Sequence, residues 1–381
     1  MKKTFPALAA IVLAIGAKAQ QPSSGEPFSG EIDRAEVAKV AGAVAHWQID
    51  HFATMDDTRK YKQSDLSWAN GVFLGGLADW AAFAGDAQAM KWCGEVAKRN
   101  FFQPAPNRMY HADDIAVSML YAVMYEQNPD FKTIAPTLAR LDFQINYPSK
   151  VSLLFDQPGS QDRWSWCDAL YMAPPVFMRV AKIMGNERYI DHADKEFWAT
   201  YDLLYDKSER LFFRDSRYFD QREANGQKIF WGRGNGWVIG GLAWILQYLP
   251  ADHPSRPRYV TLFQDMCTRL ASLQDKEGYW HPSLLDPASY PMPETSATAL
   301  NTYALWWGIN NKLLYVKKFM PAAERGWKAL VRAVGADGRL GWVQPIGADP
   351  KAISADMTEV YGPGAMLLAA KQVSIYSANK K

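Results

Sequence analysis

Apolar positions along this chain fall into two alternating patterns. One kind of segment is rich in Gly, Ala and aromatic residues and is apolar on nearly every side. It occurs at 71–78, 112–125, 169–184, 236–249, 297–309 and 362–370. The other kind, such as 188–201 or 257–274, follows it and is charged and amphipathic. From residue 32 onward the spacing is helical, with Val37, Val40, Ala41 and Val44 forming one apolar face. An all-apolar helix backed by an amphipathic one is the pattern of an inner helix shielded by an outer helix. Six such pairs, recurring at roughly 45–65 residues, predict an all-α (α/α)6 toroid. An open helical solenoid would repeat at a shorter and more uniform period. The turns agree: Gly85-Asp86, Gly185-Asn186 and Pro250-Ala251-Asp252 close inner helices. Strand signals are confined to 151–155 and Phe212-Phe213, which read as short edge hairpins.

The first residues carry a different pattern. Lys2 and Lys3 precede a short apolar stretch and Ala17-Lys18-Ala19. This reads as a cleavable signal over 1–19 and predicts a periplasmic or secreted protein. No Cys follows the cut, so no lipid anchor is expected. Residues 20–30 read as a flexible leader, and 31–381 as a single catalytic domain. The signal holds three lysines and no acid, so its removal takes the net charge from +2 to −1. The mature chain then shows no global bias toward nucleic acid or an anionic membrane. Three Cys give no disulfide framework. The His residues are scattered and neither HExxH nor CxxC occurs, so no metal and no cofactor are expected. His192, in a polar helical stretch, reads as a surface residue. Oligomeric state is not legible.

In such a toroid, function gathers where the inner helices begin. The residues there are Asp65 to Asn70, His111 to Asp114, Arg163 to Asp168, Trp231 to Trp237, Glu294 to Ser296 and Glu359 to Gly362. Carboxylates, arginines and tryptophans meet at one end of the ring. N-capping accounts for Ser296 and for Asp114, but not for Trp166, Trp231 or Arg233. The chain has 15 Trp. Their flat faces suit sugar rings, although helix packing uses them as well.

The segments Trp166-Cys167-Asp168-Ala169-Leu170-Tyr171-Met172-Ala173-Pro174-Pro175 and Phe230-Trp231-Gly232-Arg233-Gly234-Asn235-Gly236-Trp237 carry a resemblance. From about Trp47 to the last inner helix the chain resembles the unsaturated rhamnogalacturonyl hydrolases of glycoside hydrolase family 105. These are related to the unsaturated glucuronyl hydrolases of family 88. The resemblance implies an (α/α)6 toroid and oligosaccharide substrates, left by polysaccharide lyases, that end in a 4,5-unsaturated uronic acid. It implies protonation of C4, water addition at C5 and collapse of the hemiketal, with no nucleophile and no metal. By the same resemblance Asp168 matches the general acid/base and Asp113 the second carboxylate, with Asp114 next to it leaving the register open. Arg233 becomes the candidate to meet the uronate carboxylate. Trp231 and Trp237 become stacking faces, and Trp166 and His111 further substrate contacts. Where family members active on rhamnogalacturonan tend to have His-Gly-Trp-like residues, this chain has Phe213-Arg214-Asp215-Ser216-Arg217-Tyr218. Arg214 and Arg217 are therefore alternative uronate contacts. Unsaturated glucuronyl substrates, as from ulvan or arabinogalactan side chains, stay open.

Other classes differ in their signatures. A polysaccharide lyase would use a Tyr or His base, for which His111 with Arg108 and Tyr110 would serve. An ordinary glycosidase would place Asp113 and Asp168 on either side of the bond and accept saturated sugars. A noncatalytic sugar-binding protein would bind the same ligands without turnover.

Overall fold

The computed structural model describes residues 26–57, 59 and 62–379. The predicted signal segment and the first part of the leader lie outside these residues. The rest of the leader is less free than its composition suggests, because Phe28 is buried in the core.

The helices run in chain order as α1 (Arg34–His51), α2 (Trp68–Ala84), α3 (Ala87–Arg99), α4 (Ser118–Gln127), α5 (Phe131–Asn146), α6 (Ala169–Met172) and α7 (Pro174–Met184). They continue as α8 (Arg188–Leu204), α9 (Gly232–Tyr248), α10 (Arg256–Ser272), α11 (Thr295–Asn310), α12 (Val316–Arg332) and α13 (Tyr361–Asn379). The inner helices α2, α4, α7, α9, α11 and α13 each pack on the next, and α13 packs back on α2, so the ring is closed. Outer helices α3, α5, α8, α10 and α12 back the inner helix before them, while α1 backs α13. The first helix thus shields the last inner one.

Sequence explains the two layers. α11 is buried along nearly its whole length, whereas α12 buries one stripe of Phe319, Ala322, Ala323, Gly326, Trp327 and Leu330. That stripe has helical spacing and leaves the opposite face to water. Small residues let inner helices meet closely: a Cβ on Gly76 would lie 2.3 Å from the carbonyl oxygen of Gly364. Gly85 and Gly185 end α2 and α7 in the left-handed conformation, at φ 73° and 60°. Each inner-to-outer hairpin reverses the chain, so all six inner helices run the same way. Their N-termini gather at one face.

Some local expectations are corrected. The third inner segment is split into α6 and α7 at Pro174, which has no N–H to continue the helix. The only strands among the described residues are β1 (Tyr205–Asp206) and β2 (Leu211–Phe212), paired antiparallel. Residues 151–155 form no strand; the Phe155 N–H donates instead to Ser216 Oγ at 2.9 Å. Ser296 does not cap α11. Glu294 does, accepting from the N–H groups of Ser296 and Ala297. His192 is half-buried, stacked on Phe177 with ring centres 5.0 Å apart.

Candidate active site

Asp168 occupies the position before α6, yet its side chain makes no capping bond. A carboxylate in that place with no helix N–H to satisfy is available for chemistry. The Cys167 thiol donates to Asp168 Oδ2 at 3.4 Å. Arg214 Nε stands 3.7 Å from the same oxygen. The Asp168 side chain is only 11% exposed, and burial raises its pKa against the opposing charge of Arg214.

Asp113 lies in a 3-10 turn (Ala112–Ile115) ahead of α4. Arg108 distinguishes Asp113 from Asp114. Its guanidinium grips Asp114 through Nη2 to Oδ1 at 2.5 Å and Nε to Oδ2 at 3.2 Å. Asp114 is thereby tied into the loop, while the Asp113 carboxylate makes no such ion pair among the described residues and has His111 Nδ1 at 3.8 Å. Burial pushes the Asp113 carboxyl up to about 7; Arg108 opposes this, and the negative charges of Asp168 and Asp114 add to it. Two neighbouring carboxyls whose pKa values are both raised hold a proton to higher pH than free carboxyls do. His111 is buried beside Trp166, and burial lowers its pKa to about 3. It is a neutral ring that accepts the Asp113 N–H through Nδ1 at 3.3 Å.

The Trp-Gly-Arg-Gly-Asn-Gly-Trp segment, residues 231–237, plays a different part from the one its sequence suggested. Arg233 is fully buried. Its Nη1 and Nη2 donate to the carbonyls of Gln344 and Pro345 at 2.6 and 3.0 Å. The guanidinium lies between the rings of Trp231 and Tyr361, 4.4 and 4.8 Å away. This corrects the assignment of Arg233 as the uronate contact, because the side chain has no exposed surface to offer, although its Nε has no hydrogen-bond partner and its charge lowers the Asp168 pKa. Trp231 and Trp237 are 1% and 0% exposed and offer no open stacking face. Trp166 is likewise buried. Trp68, at the start of α2, is the half-exposed ring of this aromatic group. It stacks on Tyr361 at 5.2 Å and meets Trp237 edge-on at 6.2 Å. The sequence placed Trp68 at an inner-helix start but did not single it out.

The motif instead braces the site. A Cβ on Gly234 would come within 3.2 Å of Cys167 Sγ, so glycine lets the start of α9 approach the segment holding Asp168. Asn235 pairs with both backbone groups of Phe212, accepting its N–H at 2.8 Å and donating to its carbonyl at 3.0 Å. That fixes β2, which leads directly to Arg214. The Arg214 carbonyl accepts the Cys167 N–H at 2.8 Å. Asn235, Phe212, Arg214 and Cys167 therefore form one continuous backbone path to Asp168.

Of the two arginines in the 213–218 loop, Arg214 stands beside Asp168, and Arg217 shares Asp215 with it. Asp215, fully buried, accepts from Arg214 Nη1 at 2.6 Å and from Arg217 Nε at 2.9 Å. Arg214 Nε is buried with no hydrogen-bond partner and faces Asp168. A second buried pair, Arg59 with Glu359 at 2.8 Å, sits at the start of α13. No motif advertised it, since its partners are 300 residues apart.

Residues 40–376 match the model of Glycosyl Hydrolase Family 88. The chain belongs to that family. Two relatives named unsaturated 3S-rhamnoglycuronyl hydrolase are similar over most of their length. The one from Alteromonas sp. (strain LOR) is 36% identical, covering 89% of this chain and 86% of the relative. The one from Formosa agariphila is 41% identical, covering 80% and 84%. Among solved structures, a family 88 glycosyl hydrolase from Bacteroides vulgatus has a TM-score of 0.78 at 31% identity, covering 90% of this chain and 99% of that one. A structure named as a polysaccharide lyase has a TM-score of 0.81 at 29% identity, with 91% and 99% covered. Solved chains described as possible family 105 members share the fold at lower identity. This family 88 protein is a glycoside hydrolase of the unsaturated uronyl class.

Proposed function

We propose that the enzyme removes a terminal 4,5-unsaturated uronate from an oligosaccharide whose next sugar is a rhamnose carrying sulfate at O3. The names of the two relatives support this choice over a rhamnogalacturonan fragment. The terminal sugar itself does not discriminate. Forming the C4=C5 bond erases the C4 configuration that separates glucuronate from galacturonate, and the C5 configuration with it. Selectivity must then come from the anomeric linkage and from the next sugar.

The observation that carries the mechanism is the buried, uncapped Asp168 with Arg214 Nε 3.7 Å away. Asp168 gives its proton to C4, leaving positive charge shared between C5 and the ring oxygen. It then takes a proton from the water that adds at C5. The hemiketal opens and the aglycone leaves. Asp113 holds the sugar, and repulsion between the two carboxylates favours a single proton kept on the pair. Arg214 meets the uronate carboxylate in place of Arg233, and Trp68 supplies the stacking face. The signal-like N-terminus supports a periplasmic or secreted location.

A panel of lyase-generated disaccharides, followed by ultraviolet absorbance, tests the reading. Absorbance of the conjugated enoate should fall with turnover. A rise on intact polysaccharide would favour the second reading, a lyase, which the similarity to a structure of that name brings in. Equal rates on saturated uronides would rule out hydration.

A further inference from the structure

We propose that Arg217 is an anion site that binds the sulfate ester of the sugar bearing the unsaturated uronate. This rests on the substrate reading above. Asp215 is a fully buried carboxylate gripping two guanidinia, one largely buried and one half-exposed. Arg214 is 13% exposed and next to Asp168; Arg217 is 44% exposed at the rim. Both lie over the same Phe155 ring, with guanidinium carbons 4.8 and 4.1 Å from its centre. The two cations are thus neighbours across one aromatic ring, about the reach of one sugar residue.

Charge and geometry assign them different anions. One buried carboxylate balances one of the two guanidinia, so the cluster keeps a positive charge. Arg217 is clamped by Asp215 through Nε and Nη2, both at 2.9 Å. Its Nη1 makes no hydrogen bond among the described residues, and the side chain is half-exposed. Held flat on Phe155 and clamped at one edge, the group loses little freedom when it binds an oxyanion. A sulfate ester is an anion at every pH at which the enzyme works, and a guanidinium offers it parallel donors. The carboxylate beside the C4=C5 bond belongs with Arg214, because the alkene carbon must reach Asp168. The next anion outward falls to Arg217.

The test compares kcat/KM on the unsaturated uronyl–rhamnose 3-sulfate disaccharide with that on its desulfated form. Wild type, Arg217→Gln and Arg217→Lys are assayed as full-length enzyme. Wild type should prefer the sulfated sugar by roughly tenfold or more. The preference should collapse toward one in Arg217→Gln, survive in part in Arg217→Lys, and weaken in wild type between about 50 and 500 mM NaCl. A wild-type ratio near one overturns the proposal, as does a ratio unchanged in Arg217→Gln. So does a wild-type preference tied only to a second uronate in longer fragments. If Arg217→Gln does not fold, the Lys variant and the salt dependence still decide. Failure of wild type on both disaccharides would instead remove the substrate reading, and this site with it.

Discussion

At the scale of single residues, burial does most of the tuning. Asp168→Asn should lower turnover on the order of a hundredfold or more, because an amide cannot donate a proton to carbon. Circular dichroism should find the fold intact, since Asp168 makes no capping bond. Near-native turnover in this variant would end its assignment. Arg214 lowers the Asp168 pKa that burial raises. Arg214→Gln should therefore move the alkaline limb of kcat/KM to higher pH, while the rate at the optimum falls with the lost carboxylate contact. Asp113 affects stability in a defined direction. Its folded pKa, raised from 3.8 to about 7, favours the folded state fully below about pH 4. That contribution, at most about 4 kcal/mol, is lost as pH rises through 7. Asp113→Asn should flatten the fall in Tm between pH 4 and 8, and a slope as steep as wild type would count against the buried carboxyl. Arg233 now belongs to stability. Arg233→Lys should lower Tm by losing bonds to the Gln344 and Pro345 carbonyls. The acid-over-ester ratio of kcat/KM should respond to Arg214→Gln instead.

Between elements, the site depends on a brace rather than on any one helix. Asn235 at the start of α9 satisfies both backbone groups of Phe212 in β2. Asn235→Ala leaves those buried groups unpaired and should cost about 1–3 kcal/mol in chemical denaturation. Because β2 runs into Arg214, turnover should fall by more than the loss of folded protein explains. Activity that tracks the folded fraction alone would show that the brace does not position the site. α6 is a short turn cut off by Pro174, so Asp168 cannot rely on a long helix for support. Its position comes from Cys167, whose N–H reaches the Arg214 carbonyl at 2.8 Å.

For the whole molecule, closure is the governing fact. α13 packs on α2, and α1 covers α13 from the other end of the chain. Among the described residues no terminal pair is left as a free cap, unlike the ends of an open repeat array. Far-ultraviolet dichroism and tryptophan fluorescence should therefore report coincident thermal unfolding. Separate transitions would mean that part of the ring melts alone, as stacked repeats do. Closure also brings the six inner-helix starts together, so that Asp113 and Asp168, from separate hairpins, feel each other's charge.

The alternation of all-apolar and amphipathic segments specified the toroid, because burial on every side and burial on one stripe leave different local patterns. Asp113 and Asp168 stood out as candidates for a related reason: each precedes an inner segment, and the resemblance suggested their roles. Which arginine faces the site was not visible. Arg233 is withdrawn by carbonyls more than a hundred residues away, and no local pattern encodes such a partner. The tertiary structure alone tied Asp114 to Arg108, enclosed Trp231 and Trp237, and turned Arg214 toward Asp168. Periodicity records how much of a helix is covered. Only the packed fold decides which polar group meets which, because hydrogen bonds and charges act over a few ångströms between distant parts of the chain.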